Sequence, residues 1–397
     1  MAVIGAGFTG LVAGLTLARA GRSVLVLEAD APGHGASTRN GGMIGSGHRL
    51  SFDRLARRHG RAAAADILRE GIRSLDFTVD LIAREGIACR LAIGGRFRAA
   101  DRPAHYDAMG READQLKREI GLEAEMVPRA EQHREIASDA YHGGCVYPRH
   151  GGLHPGLFHL GLLERADAAG VIIAGHTPVL GLTREGGRIA VHSSRGRVLA
   201  GDAIVATNGY TGAATPALRR RIVPVSSYII ATERLAPSLL TRLIPGHRMI
   251  VETRRLHCYY RIAPDGSRLL FGGRAAVHAI DPRRSGARLH RLMNGLFPEL
   301  ANTRVSHSWG GRLGFTRDKL PHLGRRDGVH YALGYNGSGV AMAPWLGHRV
   351  AGMVLDTAEA GGPLASLPFS PPPLYTGRPW FLPFMDAGMR GLERLGR

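Results

Sequence analysis

Three glycines near the start, Gly5, Gly7 and Gly10, constrain this chain more than any other feature. They form G-x-G-x-x-G after the short apolar run Ala2-Val3-Ile4, and residues 11–20 follow with helical composition. A second apolar run, Ser23-Val24-Leu25-Val26-Leu27, ends on Glu28. The pattern predicts strand, tight turn, helix, strand. In that context glycines let the backbone approach a pyrophosphate seated on a helix N-terminus, where N–H groups lack partners. An acid closing the second strand is placed to accept hydrogen bonds from ribose hydroxyls. A dinucleotide site on a parallel α/β sheet follows.

A chain of 397 residues has room for two or three domains. Residues 1–18 carry no charge, but there is no basic leader before them and glycines interrupt the apolar run, so a signal peptide is not expected. No other stretch reaches membrane-span length. Cys89, Cys145 and Cys258 are widely spaced, which excludes a disulfide framework and a zinc ribbon and suits the cytoplasm. The net charge of +19 raises an anionic partner, RNA or a lipid surface, as an explanation. The basic residues are almost all arginine, Lys117 and Lys319 being the lysines, and they are scattered; the longest cluster is Arg219-Arg220-Arg221. Abundant Ala and Gly beside Arg fit GC-rich coding and a solvated basic surface better than a nucleic-acid patch.

Residues 33–42, GHGASTRNGG, read as a loop whose amides can come close to a ligand. Helical periodicity runs over residues 52–82, two short strands over 86–100, and a charged helix over 102–120. Pro155 opens a helix reaching residue 169, and a strand follows at 171–173. His150 and His154 flank glycines and a proline rather than sharing a helix face, so no metal site is expected. Short alternating runs over 179–200 predict a three-stranded meander. The run 203–206 is a buried strand stopping at Thr207-Asn208-Gly209-Tyr210, where open α/β sheets place ligands. Residues 216–310 read as a second, mostly antiparallel sheet with a helix over 288–300. A strand at 328–333, the loop Gly334-Tyr335-Asn336-Gly337-Ser338-Gly339 and a helix over 340–355 repeat the opening pattern as a second anion or carbonyl site. A proline-rich stretch follows from 363, and a short basic amphipathic helix is expected over 385–397, docked or frayed, with membrane contact the less favoured reading.

The segments GAGFTG with LEA, GASTRNGG, GGLHPG, VATNGYTG and GYNGSGVAMAP, in this order, resemble the D-amino-acid-oxidase-type FAD oxidoreductases. WGGRLGFTRDKLPHLG and GYNGSGVA are most similar to the γ-glutamylputrescine oxidase-like branch. The resemblance spans about residues 1–357. It implies an α/β fold, with a Rossmann-type FAD-binding domain bearing the meander (1–85, 148–215 and 308–362). An antiparallel α+β substrate domain (86–147 and 216–307) is interleaved with it, and 363–397 form a tail. It also implies FAD rather than NAD. Gly5, Gly7, Phe8, Thr9 and Gly10 would hold the pyrophosphate and Glu28 the ribose. Ser37, Arg39, Asn40, Gly41 and Gly42 match the loop along the phosphates and flavin, Val179 the adenine contact, and Gly337, Ser338, Gly339 and Val340 the loop at the flavin's pyrimidine end.

The chemistry so implied is oxidation of a C–N bond in an amine or amino acid. Hydride passes to flavin N5, the imine hydrolyses to a carbonyl compound, and electrons pass to oxygen, giving peroxide, or to another acceptor. Substrate-side candidates are Tyr259, Arg261, Arg274, Trp309 and Tyr335, with His48 as a base. Relatives that bind FAD covalently use a cysteine after the Trp-Gly segment; here residues 310–316 contain none, so the FAD is expected to be noncovalent. Sarcosine-oxidising relatives carry a lysine in the last flavin loop, where this chain has Ala341 and Met342. Relatives also lead into the first glycine with a longer segment, so either a short first strand or a displaced start is expected. The competing readings are a flavoprotein of RNA base modification and a peripheral membrane amino-acid dehydrogenase.

Overall fold

The computed structural model describes residues 1–47, 49–358 and 360–394. The opening glycine motif lies where expected, between strand Ala2–Ile4 and helix Phe8–Arg19, with strand Leu25–Leu27 beyond. These strands belong to a six-stranded sheet. Its order is His322–Arg326, Val329–Leu333, Ala203–Val205, Ala2–Ile4, Leu25–Leu27 and Ile172–Ala174. All neighbours are parallel except the first two, which form a hairpin. The central strands Ala2–Ile4 and Ala203–Val205 are buried on both faces, hence their unbroken apolar runs. Val3 and Ile204 pack beneath helices Phe8–Arg19, Pro155–Ala168 and Gly339–Val354. Ala2, Ile4, Ala203 and Val205 point the other way, onto Ile189 and Val191 of the meander Val179–Glu185, Arg188–Ser193, Gly196–Ala200. The two-residue alternation of the strands decides which layer each side chain meets.

Eight strands build the second sheet, in the order Val305–Phe315, Val223–Thr232, Leu269–Gly273, Cys258–Ile262, Met249–Glu252, Arg96–Ala99, Gly144–Tyr147 and Glu125–Val127. Every pairing is antiparallel except that of Met249–Glu252 with Arg96–Ala99. One face, with Phe97, Ile250, Tyr260 and Phe271, is sealed by Leu289 and Met293 of helix Pro282–Leu296. The alternate residues Arg96, Arg98, Tyr147, Val251 and Tyr259 therefore share the opposite face. Strand Val305–Phe315 runs along this sheet, so the expected domain boundary at residue 308 falls inside a strand.

Several local expectations need correcting. Residues 86–100 hold one strand, Arg96–Ala99; the earlier segment contributes only a bridge from Ala92 to Gly152, and Gly95 turns the chain at φ +90. The helix expected over 288–300 starts earlier, at Pro282. Asp281 caps it, its Oδ1 accepting from the backbone N–H groups of Arg283 (2.8 Å) and Arg284 (3.3 Å). Helical residues 52–84 are two helices, Phe52–His59 and Arg61–Arg84, broken at Gly60 (φ +85). The last helix is Leu382–Arg394, docked through Asp386, whose carboxylate accepts from Val277 N–H at 3.0 Å.

Candidate active site

Two joined cavities lie between the sheets. The smaller, of about 270 Å³, opens over the carboxyl ends of strands Ala2–Ile4, Leu25–Leu27 and Ala203–Val205. Gly5, Gly7, Phe8, Thr9, Glu28, Ser37, Asn40, Val179, Gly337, Gly339 and Val340, all expected cofactor ligands, line it. The larger, of about 460 Å³, is lined by the expected Arg39, Gly41 and Ser338, with Asn40, Gly337 and Val340 at the junction. Sequence segments three hundred residues apart thus line two adjoining cavities with shared walls.

Its shape depends on close backbone approach. A Cβ on Gly7 would lie 2.8 Å from Ser37 Oγ, which accepts from Phe8 N–H at 3.0 Å. Gly10 and Gly42 do not face the cavities. A Cβ on Gly10 would stand 1.8 Å from the Gly5 carbonyl oxygen, and one on Gly42 2.1 Å from that of Leu153. Their part is to let helix meet strand and loop meet loop. Helices Phe8–Arg19 and Gly339–Val354 both start without a side-chain cap or an acid in the first turn, which leaves their positive ends for a bound anion. Glu28 Oε2 accepts from Ala6 N–H at 2.8 Å and Oε1 from Asp30 N–H at 3.2 Å. Each oxygen keeps a lone pair for a further donor. Asn40 braces its loop, donating to Ser37 O (2.8 Å) and accepting from Gly42 N–H (2.8 Å). His159, under the same loop, meets the Ala6 carbonyl through Nε2 at 2.7 Å.

The substrate-side candidates separate. Tyr259 and Arg274 line the larger cavity. Arg261 does not: it is buried behind the loop, and its Nη1 donates to the carbonyls of Gly42 and Leu153, both at 3.1 Å. Trp309 likewise serves the frame, its indole N–H donating to Arg39 O at 3.0 Å. Tyr335 faces the smaller cavity; its hydroxyl lies 2.5 Å from Thr9 Oγ1 and donates to Ala332 O at 2.9 Å. Burial pushes its phenol far above the ordinary value. His48 lies outside the described residues.

The cavity also brings in residues the sequence did not single out, Arg49, Arg96, Arg98, Arg254 and His257, together with His150, weighed there only as a metal ligand. Arg98 pairs with Glu112 (2.8 Å), and Arg254 with Glu252 and Asp101 (3.0 Å each). Arg49, Arg96 and Arg274 have no carboxylate partner among the described residues. Arg49 and Arg274 each stack on Phe315, at 5.4 and 5.3 Å from its centroid. Arg49 is open to water at the cavity yet enclosed by protein; burial, then the charge of Arg274, lowers its pKa to about 9. It stays protonated at neutral pH. Burial and these same two guanidiniums push His257 down to about 3, so its imidazole is neutral. His150, stacked on Tyr147, is held neutral with a pKa of about 2 by burial and Arg96. Its Nε2 accepts from Ser46 N–H at 3.1 Å.

A family profile described as DAO: FAD dependent oxidoreductase matches residues 1–353. The chain belongs to this FAD-dependent oxidoreductase family. Gamma-glutamylputrescine oxidoreductase of Escherichia coli strain K12 is 30% identical over 388 residues, 97% of this chain and 90% of that protein. The probable oxidoreductase OrdL of Rhizobium meliloti strain 1021 is 31% identical over 362 residues, 89% and 82% of the two chains. The solved glycine oxidase from Geobacillus kaustophilus superposes with a TM-score of 0.77 at 21% identity, covering 92% of this chain and 97% of that one, a likeness of fold. FAD is the cofactor of this enzyme. The groove suits it: glycine-lined backbone at Gly5 and Gly7, Glu28 at a strand end, and a second open helix N-terminus at Gly339. Among the described residues no cluster of ligand side chains could hold a metal ion, and no helix is long and apolar enough to cross a membrane.

Proposed function

We propose that this enzyme oxidises the C–N bond of an amine that also carries a carboxylate, an amino acid or a longer amino carboxylate. One observation carries the reading: Arg49 and Arg274 meet at Phe315 in the larger cavity with no acidic partner among the described residues. Two guanidiniums that repel one another at one ring, Arg274 half-buried and Arg49 open to the cavity, favour an anion beside them, and a substrate carboxylate supplies that charge by paired hydrogen bonds. Bound FAD supplies the two-electron acceptor for the C–H hydrogen. Tyr259 and the Gly41 backbone form the wall along which the substrate lies, and the Ser227 hydroxyl, 3.0 Å from the Tyr259 oxygen, holds that ring in place.

The cations have a second effect. Positive charge around the amine disfavours its ammonium form, so the neutral amine needed for hydride loss is populated without a dedicated base. His257, kept neutral first by burial and then by these cations, is available to accept a hydrogen bond. Release of electrons to oxygen, giving peroxide, is part of the proposal. So are noncovalent attachment of FAD and a cytoplasmic location, the latter resting on three buried cysteines that form no disulfide. The test compares an amino acid with the amine left when its carboxylate is removed. The proposal expects kcat/KM to favour the carboxylate form; equal turnover of both would overturn it. Peroxide accumulation under air distinguishes oxygen from another acceptor.

A further inference from the structure

We propose that the C-terminal tail is an interfacial membrane anchor, which seats the enzyme on a bilayer rich in anionic lipid. The tail is docked on the body, yet three of its large apolar side chains point outward. Leu374, Trp380 and Phe384 are 91%, 63% and 73% exposed. Chain neighbours and ring contacts link the three. Leu374 adjoins Tyr375, whose ring meets Phe381 at 5.9 Å; Phe381 meets Trp380 at 5.9 Å; and Phe384 lies one turn beyond Trp380. Tyr375 and Phe381 face inward and hold the patch rigid: the Tyr375 hydroxyl donates to Ile222 O at 2.9 Å. Leu374 is also strained. It sits at φ +57 after Pro371-Pro372-Pro373, a backbone conformation that a leucine rarely adopts. A strained leucine held out in solvent gains nothing from the fold itself.

The charge beside the patch selects the partner. Arg219 lies against the tail, its Nε donating to Gly377 O at 3.2 Å. Arg220 and Arg378 are exposed. None of the three has a carboxylate partner among the described residues. The longest arginine cluster of the chain thus borders its most exposed aromatic pair. Tryptophan and phenylalanine flanked by arginine are the composition of an interfacial surface, where the rings sit at headgroup level and the guanidiniums meet lipid phosphate. Neither signal alone holds a protein on a bilayer; apolar insertion and basic attraction together do. A second copy of this chain fits less well, because the +19 charge would oppose bringing two such faces together.

The experiment is co-sedimentation of the FAD-loaded enzyme with vesicles of phosphatidylglycerol and phosphatidylcholine, and with phosphatidylcholine alone. Binding is expected to the first only, to weaken at least tenfold between 0.1 and 0.5 M salt, on the order set by charge screening, and to blue-shift the fluorescence of Trp380. W380F is expected to remove the shift, and the triple variant L374S/W380S/F384S to lose binding with its flavin absorbance and melting temperature unchanged. Because these side chains are exposed, the variant keeps its fold, and its flavin spectrum reports that directly. No binding to the anionic vesicles, or equal binding by the triple variant, overturns the proposal. So does sedimentation showing that the patch instead holds a dimer, which W380S dissociates.

Discussion

Arg274→Met is the most informative single substitution in the larger cavity. Arg274 is enclosed, its Nη2 has no hydrogen-bond partner, and burial holds its pKa below the ordinary value. Removing it costs the stacking on Phe315, about 0.5–1 kcal/mol. It also relieves an unsatisfied buried donor, worth about 1–3 kcal/mol, and lifts a repulsion from Arg49. Stability should therefore be unchanged or slightly higher. Binding of a carboxylate substrate loses a charge-assisted hydrogen bond, about 1.5–3 kcal/mol, or roughly 10- to 150-fold in kcat/KM. The assay is steady-state kinetics on an amino acid and on its decarboxylated amine, with the melting temperature and flavin absorbance recorded beside them. The loss should fall on the carboxylate substrate alone. Equal losses on both substrates, or a clear drop in melting temperature, would refute a carboxylate-binding role.

Other sites give sharper structural outcomes. Gly10→Ala places a methyl 1.8 Å from the Gly5 carbonyl oxygen, an overlap that helix and strand must separate to relieve; soluble protein should melt lower and carry little flavin. Arg261→Met removes the guanidinium donor from the Leu153 carbonyl, at about 1–3 kcal/mol, while the Gly42 carbonyl keeps the Leu153 N–H; both the melting temperature and FAD retention should fall. His150 titrates near 2 when folded and near its ordinary value when unfolded. Its stabilising contribution is complete above about pH 6.5 and is lost as pH falls below that value, by about 2 kcal/mol at pH 5. Denaturant melts at pH 7 and pH 5 should show the decline, and His150→Asn should lessen it by about that amount, His257, also held low, keeping a share of its own.

The nucleotide half of the site was legible because it is local. Gly5 to Glu28 contains strand, turn, helix and acid in one stretch, and the strand end at Thr207 and the glycine loop before Gly339 carry their own punctuation. The substrate half depends on register between strands far apart in sequence. Arg96 and Arg98 face the cavity because Phe97 takes the other side of the sheet, against Tyr260 and Phe271. Arg49 follows an ordinary Gly-Ser-Gly segment, and nothing near it announces that it meets Arg274 across Phe315. Tyr335 and Arg261 show the converse. Both are polar residues in promising motifs, but one bonds to Thr9 across 326 residues and the other clamps backbone carbonyls. The start of helix Pro282–Leu296 was within reach, since Asp281-Pro282 is a capping signal.

On the proposed function, a flavin and a carboxylate-bearing amine meet in this groove. Anaerobic titration of the FAD-loaded enzyme tests it most directly, following the oxidised flavin absorbance as amines and amino acids are added. Full bleaching by amino carboxylates, at concentrations where their decarboxylated counterparts leave the spectrum unchanged, is the result predicted. A protein that takes up no FAD, or whose flavin is bleached equally by amines lacking the carboxylate, would contradict it.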